Sequence, residues 1–341
     1  MKILVTGAAG FIGYHLSKKL LEEGFEVMGI DNLNAYYDIK LKYQRLFQLG
    51  IDAKQNPTHS VSTKYSKFIF RKADIVDYAK LEGLVEKFEP NKIVHLAAQA
   101  GVRYSIENPQ EYISANVQGY FNVLEVARKY DVEHLIYASS SSIYGNASEV
   151  PFLVDAKTDS PISLYAATKK SNELMAHAYA HLHKLSITGL RFFTVYGPYG
   201  RPDMAYFKFA KAIAEDRTIQ IYNHGDQSRD FTYIDDIIDG LYGIIEKGFV
   251  KKSEVRHNVY NLGRGKPESL MTFVESIETA LGKNAKKEFV ANQPGDVSRT
   301  WADVSELAKD YGYAPKINLK EGVQKFVEWF KNNDNQKYQV K

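Results

Sequence analysis

No cysteine occurs anywhere in the 341 residues. That absence excludes disulfide staples, thiolate metal sites and a cysteine nucleophile, and it suits a reducing compartment. Charge of one sign is not in excess either: 44 basic and 41 acidic residues, well interspersed, leave a net charge of +3. Such a distribution offers no basic stripe for nucleic acid and no polybasic membrane patch, so any anionic partner is expected to be small and locally bound. No apolar run reaches the about 18 residues that a membrane span needs. The opening Met1–Val5 is basic and then apolar, as a signal peptide begins, but Gly7, Gly10 and Gly13 break it and His15, Lys18 and Lys19 follow. A soluble, untargeted, cytoplasmic protein is expected. Repeats are lacking as well. His177, His181 and His183 come nearest to a metal cluster, yet no Glu or Cys completes a ligand set, so they are read as an exposed helix face and no metal is expected.

What is present is an alternation of strand-like and helical runs, sized for one large or two closely packed domains. Strand patterns cover Lys2–Thr6, Glu26–Ile30, Lys92–Leu96 and His134–Ala138; helical patterns cover Phe11–Glu23, Leu81–Phe88 and Val117–Lys129. This order predicts an α/β fold, a doubly wound parallel sheet covered on both faces. A polar stretch from about Asn34 to Ser66 interrupts it, with one helix expected over Lys40–Leu49 and a turn-rich surface insertion over Asn56–Ser66. Beyond about Arg191 the pattern loosens into Pro and Gly clusters. We therefore expect a dinucleotide-binding domain over 1–190 and a smaller mixed α/β substrate domain over 191–341, with segments interleaving.

The segment Gly7-Ala8-Ala9-Gly10-Phe11-Ile12-Gly13 lies between the first strand and the first helix. Glycines there allow a tight turn and a close approach to a pyrophosphate, which the helix N-terminus favours. Asp31, with Asn32 beside it, ends the second strand. An acid at that place accepts from the adenine-ribose 2′-hydroxyl and repels a 2′-phosphate, which predicts NAD and not NADP. The Gly-x-x-Gly-x-x-Gly spacing resembles the extended short-chain dehydrogenase/reductase superfamily, a Rossmann-type fold. By that resemblance Asp74 and Ile75 contact the adenine, Leu96, Ala97 and Ala98 line the cofactor at the end of the fourth parallel strand, and Asn116 matches an asparagine of the following helix.

Tyr165 and Lys169 stand four apart on a predicted helix and so share one face. A free phenol titrates near ~10, too high for a base at neutral pH, but a neighbouring cation stabilises the phenolate. In a chain with 24 tyrosines a surface pair is the plain alternative. Ser139–Ser142, at the end of the preceding strand, and Tyr144-Gly145 argue against it, because α/β proteins place their ligand crevice at strand ends. The superfamily pattern puts its catalytic serine on Ser140, with Ser141 and Ser142 as sugar contacts. Nucleotide-sugar dehydratases of this superfamily carry Asp-Glu directly after that serine. Here two serines follow, so no acid is present to protonate a leaving hydroxyl, and simple return of the hydride is favoured.

The motifs Ala100–Ser105, Ser163–Lys169, Leu190–Pro198, Gly200–Ala205, Arg229–Asp236 and Gln293–Asp296 are similar to UDP-glucuronate 4-epimerases of bacterial surface-polysaccharide pathways, over nearly the whole chain. The resemblance implies a UDP-sugar substrate, a homodimer formed by the helices Val117–Lys129 and Tyr165–His181, Arg229 on the diphosphate and Asp296 near the uridine ribose. It places Gln220 and Tyr222 beside the uracil and Phe207 after the loop that caps the nucleotide. Arg103 and Thr194 are the candidates for reading the uronate carboxylate. A 4-epimerase for UDP-glucose, UDP-galactose or UDP-N-acetylhexosamines stays open as an alternative, and so, more remotely, does a non-catalytic NAD(H) sensor. Asp235-Asp236 are read as a helix cap, Tyr36, Tyr37 and Tyr43 as packing, and Trp301–Ser305 as the start of a helix.

Overall fold

The computed structural model describes residues 1–54, 59–291 and 297–332. Its centre is an eight-stranded sheet. In chain order the strands are β1 (Lys2–Thr6), β2 (Glu26–Asp31), β3 (His59–Val61), β4 (Phe68–Lys72), β5 (Lys92–His95), β6 (His134–Ser140), β7 (Ile187–Phe192) and the strand His257–Leu262. Across the sheet they run from His257–Leu262 through β7, β6, β5, β1, β2 and β4 to β3. All neighbours pair in parallel except β3, which lies antiparallel on β4. The period of two along each strand divides the core: Ile3 and Val5 join one buried cluster with the helix Phe11–Glu22, while Leu4 joins a second with Tyr78–Phe88 and Gly119–Lys129. Burial on both faces explains the near-continuous apolar runs.

Four expectations are corrected. The stretch Asn56–Ser66 is not only turns: His59–Val61 pairs with Ile69–Arg71 and closes that edge of the sheet, an outcome its polar composition hid. The helix expected from Val117 begins earlier, as a π-helical turn Ile113–Gln118 that leads into Gly119–Lys129. The boundary expected at 190 falls inside β7, and His257–Leu262 returns to the sheet beside it. Asp236 does not cap its own helix, Ile234–Lys247; its carboxylate accepts from Lys316 N (2.8 Å) and Ile317 N (3.1 Å), fastening the C-terminal segment.

The second region packs three helices, Ala205–Ala214, Leu270–Leu281 and Leu319–Lys331, around an aromatic core. Short strand pairs connect it to the sheet, among them Thr194–Tyr196 on Phe231–Tyr233. Among the described residues no helix is long and apolar enough to cross a membrane.

Candidate active site

The glycine segment forms a cradle that side chains would fill. Gly7 has φ +74, and a Cβ there would meet Ala97 N at 2.8 Å; a Cβ on Gly13 would meet Gly7 O at 2.1 Å. Gly10 caps the helix Phe11–Glu22 without a side-chain hydrogen bond, and no acid stands in its first turn. The first N–H groups of that helix are thereby open to an anion. Thr6 Oγ1 accepts from Leu96 N (3.2 Å) and Ala97 N (3.1 Å), which fixes the β5 end against the cradle. Asp31 is 7% exposed; it accepts from Ala9 N (3.2 Å) and Leu33 N (2.8 Å), and Lys42 Nζ lies 3.3 Å away. Asn32 donates to Asp74 (3.0 Å), whose other oxygen accepts from Val76 N beside the buried Ile75. These residues fit a dinucleotide: tight backbone for a pyrophosphate, and a carboxylate at the strand end for a ribose.

Ser140 ends β6, and Ser141–Tyr144 form a 3₁₀ turn beyond it. Ser163 caps the helix Leu164–His183 by accepting from Ala166 N (3.1 Å), which sets the helix start beside that turn and brings Tyr165 to Ser140. Burial pushes the Tyr165 phenol above its usual range, while its hydrogen bond with Ser140 and the positive field of Arg201 pull it down. Lys169 is 2% exposed and donates to the Ala138 carbonyl at 2.8 Å; burial brings its ammonium down to about 8. The ammonium thus reaches the strand end. Ser140 Oγ also accepts from Ser142 N (3.2 Å), and the Ser142 hydroxyl lies 3.1 Å from it.

A buried network supports this segment. Glu173, one turn beyond Lys169, accepts from Ser139 Oγ (2.7 Å) and from Arg191 Nε and Nη2 (both 2.9 Å). Arg191 Nη1 donates to Tyr144 Oη (2.8 Å) and to Val154 O (2.8 Å), and Tyr144 Oη donates to Asn261 Oδ1 (2.7 Å). The two ends of the serine segment are therefore held by one ion pair. On the other side Asn116, in the π-helical turn, joins Gln99 and Thr168 through its amide. Such turns are rare inside helices and occur frequently at functional sites.

The nucleotide and sugar candidates fare unevenly. Tyr222 Oη donates to Gln220 (2.8 Å), as a neighbouring pair, although the strand ends at Ile221 and Tyr222 opens a 3₁₀ turn. Arg103 is exposed, with its guanidinium 5.1 Å from the Tyr222 ring centroid, so it sits beside this pair. Thr194 donates its backbone N–H to Asp230 O (3.2 Å) and begins the short strand beyond β7. Arg229 Nη1 donates to Ser298 O (2.9 Å) and Nη2 to Gln227 (3.3 Å). Phe207 is a correction: it is 1% exposed and packs against Phe326, Trp329 and Phe330, an aromatic core position with no surface for a nucleotide. Asp296 lies outside the described residues. His177, His181 and His183 are exposed, and no metal-holding group occurs among the described residues.

The sequence reading missed Arg201. It pairs with Asp203, which also accepts from Tyr36 Oη (3.1 Å), and its field reaches Tyr165. Tyr36, read as packing, therefore also orients a charged pair. Within Gly200–Ala205 only the strip as a whole was noticed; the signal that could have singled Arg201 out was an arginine two residues before an aspartate.

Residues 3–263 match the family described as the NAD dependent epimerase/dehydratase family. The chain is 48% identical to Protein CapI of Staphylococcus aureus, over 97% of this chain and 98% of that one. A UDP-glucuronate 4-epimerase of Thermodesulfobacterium geofontis is 43% identical, over 97% and 96%. Among solved structures, the UDP-glucuronic acid 4-epimerase of Bacillus cereus, in complex with UDP-glucuronic acid and NAD, superposes with a TM-score of 0.86 at 35% identity, covering 97% of this chain and 99% of that one.

Proposed function

The chain belongs to the NAD-dependent epimerase/dehydratase family, within its UDP-glucuronate 4-epimerase branch, and from that premise we propose that it interconverts UDP-glucuronate and UDP-galacturonate by inversion at C4. It is an isomerase, and NAD is its cofactor. The observation that carries the reading is the Tyr165 phenol, joined to Ser140 and set in the field of Arg201 at the open end of β6.

NAD, when bound, supplies the acceptor that takes the C4 hydrogen with its electron pair and later gives it back. The residues of the chain do the rest. Tyr165 Oη takes the proton of the 4-hydroxyl, and Ser140 Oγ, hydrogen-bonded to that phenol, holds the same oxygen in line. Lys169 keeps a positive charge near the strand end that favours the phenolate. Inversion requires the 4-keto sugar to present its other face before the hydrogen returns, so the sugar contacts must be reversible while the nucleotide stays held. Ser141 and Ser142 supply neutral donors, and no carboxylic acid at those positions diverts the ketone toward elimination. Arg229, Gln220 and Tyr222 are assigned to the nucleotide, and Asp296 to its ribose by resemblance. Thr194 is assigned to the uronate carboxylate together with Arg201, whose positive field reaches the reacting phenol, in preference to Arg103, which lies over Tyr222. The surface-polysaccharide destination of the product belongs to this proposal. So does a homodimer, for which the exposed Phe121, Leu174 and Leu182 on the two paired helices supply an apolar face.

The test is incubation of the purified protein with UDP-glucuronate, UDP-glucose and UDP-N-acetylglucosamine, followed by the anomeric proton signals. Conversion of UDP-glucuronate alone, or fastest, is expected. Preference for a neutral sugar would remove the uronate assignment and leave a 4-epimerase.

A further inference from the structure

Arg45 has no exposed surface. It comes from the helix Ile39–Gln48, inside the insertion, and all five of its N–H groups are engaged. Nη1 donates to Ala9 O (2.9 Å) and to Tyr37 Oη (2.6 Å). Nε donates to Tyr199 O (3.0 Å), and Nη2 to Tyr199 O (2.7 Å) and Gly200 O (3.3 Å). Every acceptor is a neutral oxygen. A guanidinium removed from water ordinarily needs a counter-charge, because carbonyl dipoles replace its hydration only in part. The nearby acids are committed elsewhere: Asp31, which accepts from Ala9 N, is paired with Lys42, and Asp203 is paired with Arg201.

The two groups of acceptors identify what this cation connects. Ala9 belongs to the glycine segment, whose helix start is uncapped and free of acid. Tyr199 and Gly200 belong to the turn that ends in Arg201. That turn carries backbone strain at the non-glycine Tyr199, which has φ +57. His15, from the helix the glycine segment opens, makes a third tie through Nε2 to Pro198 O (3.0 Å). Arg45 and His15 thus tie the turn to the dinucleotide side, while Trp329 of the helix Leu319–Lys331 packs on Tyr199 from the other region.

We propose that Arg45 is a positioning residue whose counter-charge is the dinucleotide's diphosphate, acting across the glycine segment, so that NAD occupancy sets the Gly197–Asp203 turn and with it Arg201. This rests on the reading of the site as an NAD-dependent sugar epimerase. Without the diphosphate the buried charge favours loosening of the Arg45 contacts, and the strained turn relaxes. Cofactor and sugar sites are then coupled through one side chain that touches neither ligand.

The test uses stripped and NAD-loaded wild type beside Arg45→Met and Arg45→Lys. In wild type, amide exchange in a peptide covering 197–203 should slow by at least ~tenfold on adding NAD, the scale of an ordinary coupling between sites. Arg45→Met should bind NAD at least ~tenfold more weakly and show no NAD response in that peptide. Arg45→Lys should recover NAD affinity, since the charge is restored, but not the protection of the turn, since the fork of donors is lost. Equal NAD affinity in Arg45→Met, or a turn in wild type that ignores NAD, overturns the inference. Should Arg45→Met fail to fold, the wild-type exchange decides. Wild type that binds no NAD at all would instead sink the family-based function.

Discussion

Consider replacing Glu173 by Gln. The carboxylate and its partner Arg191 are each 5% exposed, and the acid accepts three hydrogen bonds, one from Ser139 and two from Arg191. A glutamine has nearly the same shape, but it removes the negative charge and turns an NH₂ group toward a guanidinium that can only donate. Arg191 then remains buried with neutral partners, Tyr144 Oη and Val154 O. Breaking a buried pair on one side costs about 3–5 kcal/mol, a large share of the 5–15 kcal/mol that holds an ordinary domain together. With a urea slope of about 3 kcal/mol per molar, the unfolding midpoint should fall by roughly 1–1.7 M when wild type and variant are compared at saturating NAD. The function should suffer separately, because Ser139 precedes Ser140 and Tyr144 closes the same turn. We expect kcat to fall with little change in KM, which bare destabilisation would not produce while the protein remains folded. The double variant Glu173→Leu, Arg191→Met removes both charges together and should regain much of the stability but not the activity. A midpoint shift below about 0.3 M would refute the reasoning, given the same slope. So would strictly additive effects in the cycle of single and double variants.

Tyr165→Phe should keep fold and NAD while losing epimerisation by a factor of at least ~100, the scale of general-base catalysis; near-normal turnover in a folded variant would dismiss the phenol as base. Lys169 carries the pH dependence. Its folded pKa, about 8, lies below the ordinary 10.5, so the native state binds fewer protons between those values and this group's contribution to stability rises by about 3 kcal/mol as pH increases through that window. Activity should run the opposite way and decline above about pH 8 as the ammonium is lost, and Lys169→Met should flatten the alkaline limb. Extraction of denatured protein should release NAD or NADH; recovery of NADP, or equal activity with it, would contradict the role of Asp31. Thr194→Ala should lower the UDP-glucuronate to UDP-glucose rate ratio by about 1.5–3 kcal/mol, whereas Arg103→Ala, against Tyr222, should lower both rates together. A selective loss in the Arg103 variant would return that residue to the carboxylate.

What could be read from the chain before its fold was known was whatever is local. Gly7 to Gly13, Asp31 and the serine turn sit at the ends of parallel strands, and Tyr165 and Lys169 share the first turns of one helix, so their pattern can be read locally. Arg45 and Glu173 are different, because Arg45 joins Ala9 to Tyr199 and Gly200, and Glu173 joins Ser139 to Arg191, across distances in sequence that nothing in their own neighbourhood marks; Arg201 has its partner Asp203 close by, but its reach to Tyr165 comes only from the fold. Phe207 failed for the converse reason: resemblance placed it beside a nucleotide loop, but an aromatic on the inward face of Ala205–Ala214 meets Phe326 and Phe330 first. Asp236 has the composition of a helix cap, yet the backbone of Lys316 and Ile317 competes for the same oxygens and wins. The edge strand His59–Val61 was invisible because a strand that short has no periodicity to detect.

The return of His257–Leu262 to lie beside β7 has a consequence for synthesis. Until residue 262 has left the ribosome, β7 is the bare edge of an otherwise complete apolar sheet. At ~5–20 residues per second that exposure lasts on the order of seconds, long compared with the time a helix or hairpin needs to form. Chains stalled or cleaved within this interval would present an unpaired parallel edge to one another, which is a template for aggregation. A fragment ending near residue 190 is therefore not a small dinucleotide-binding protein but a sheet with β7 cut short and the strand beside it missing, and nascent chains between this length and residue 262 are where a chaperone would be needed.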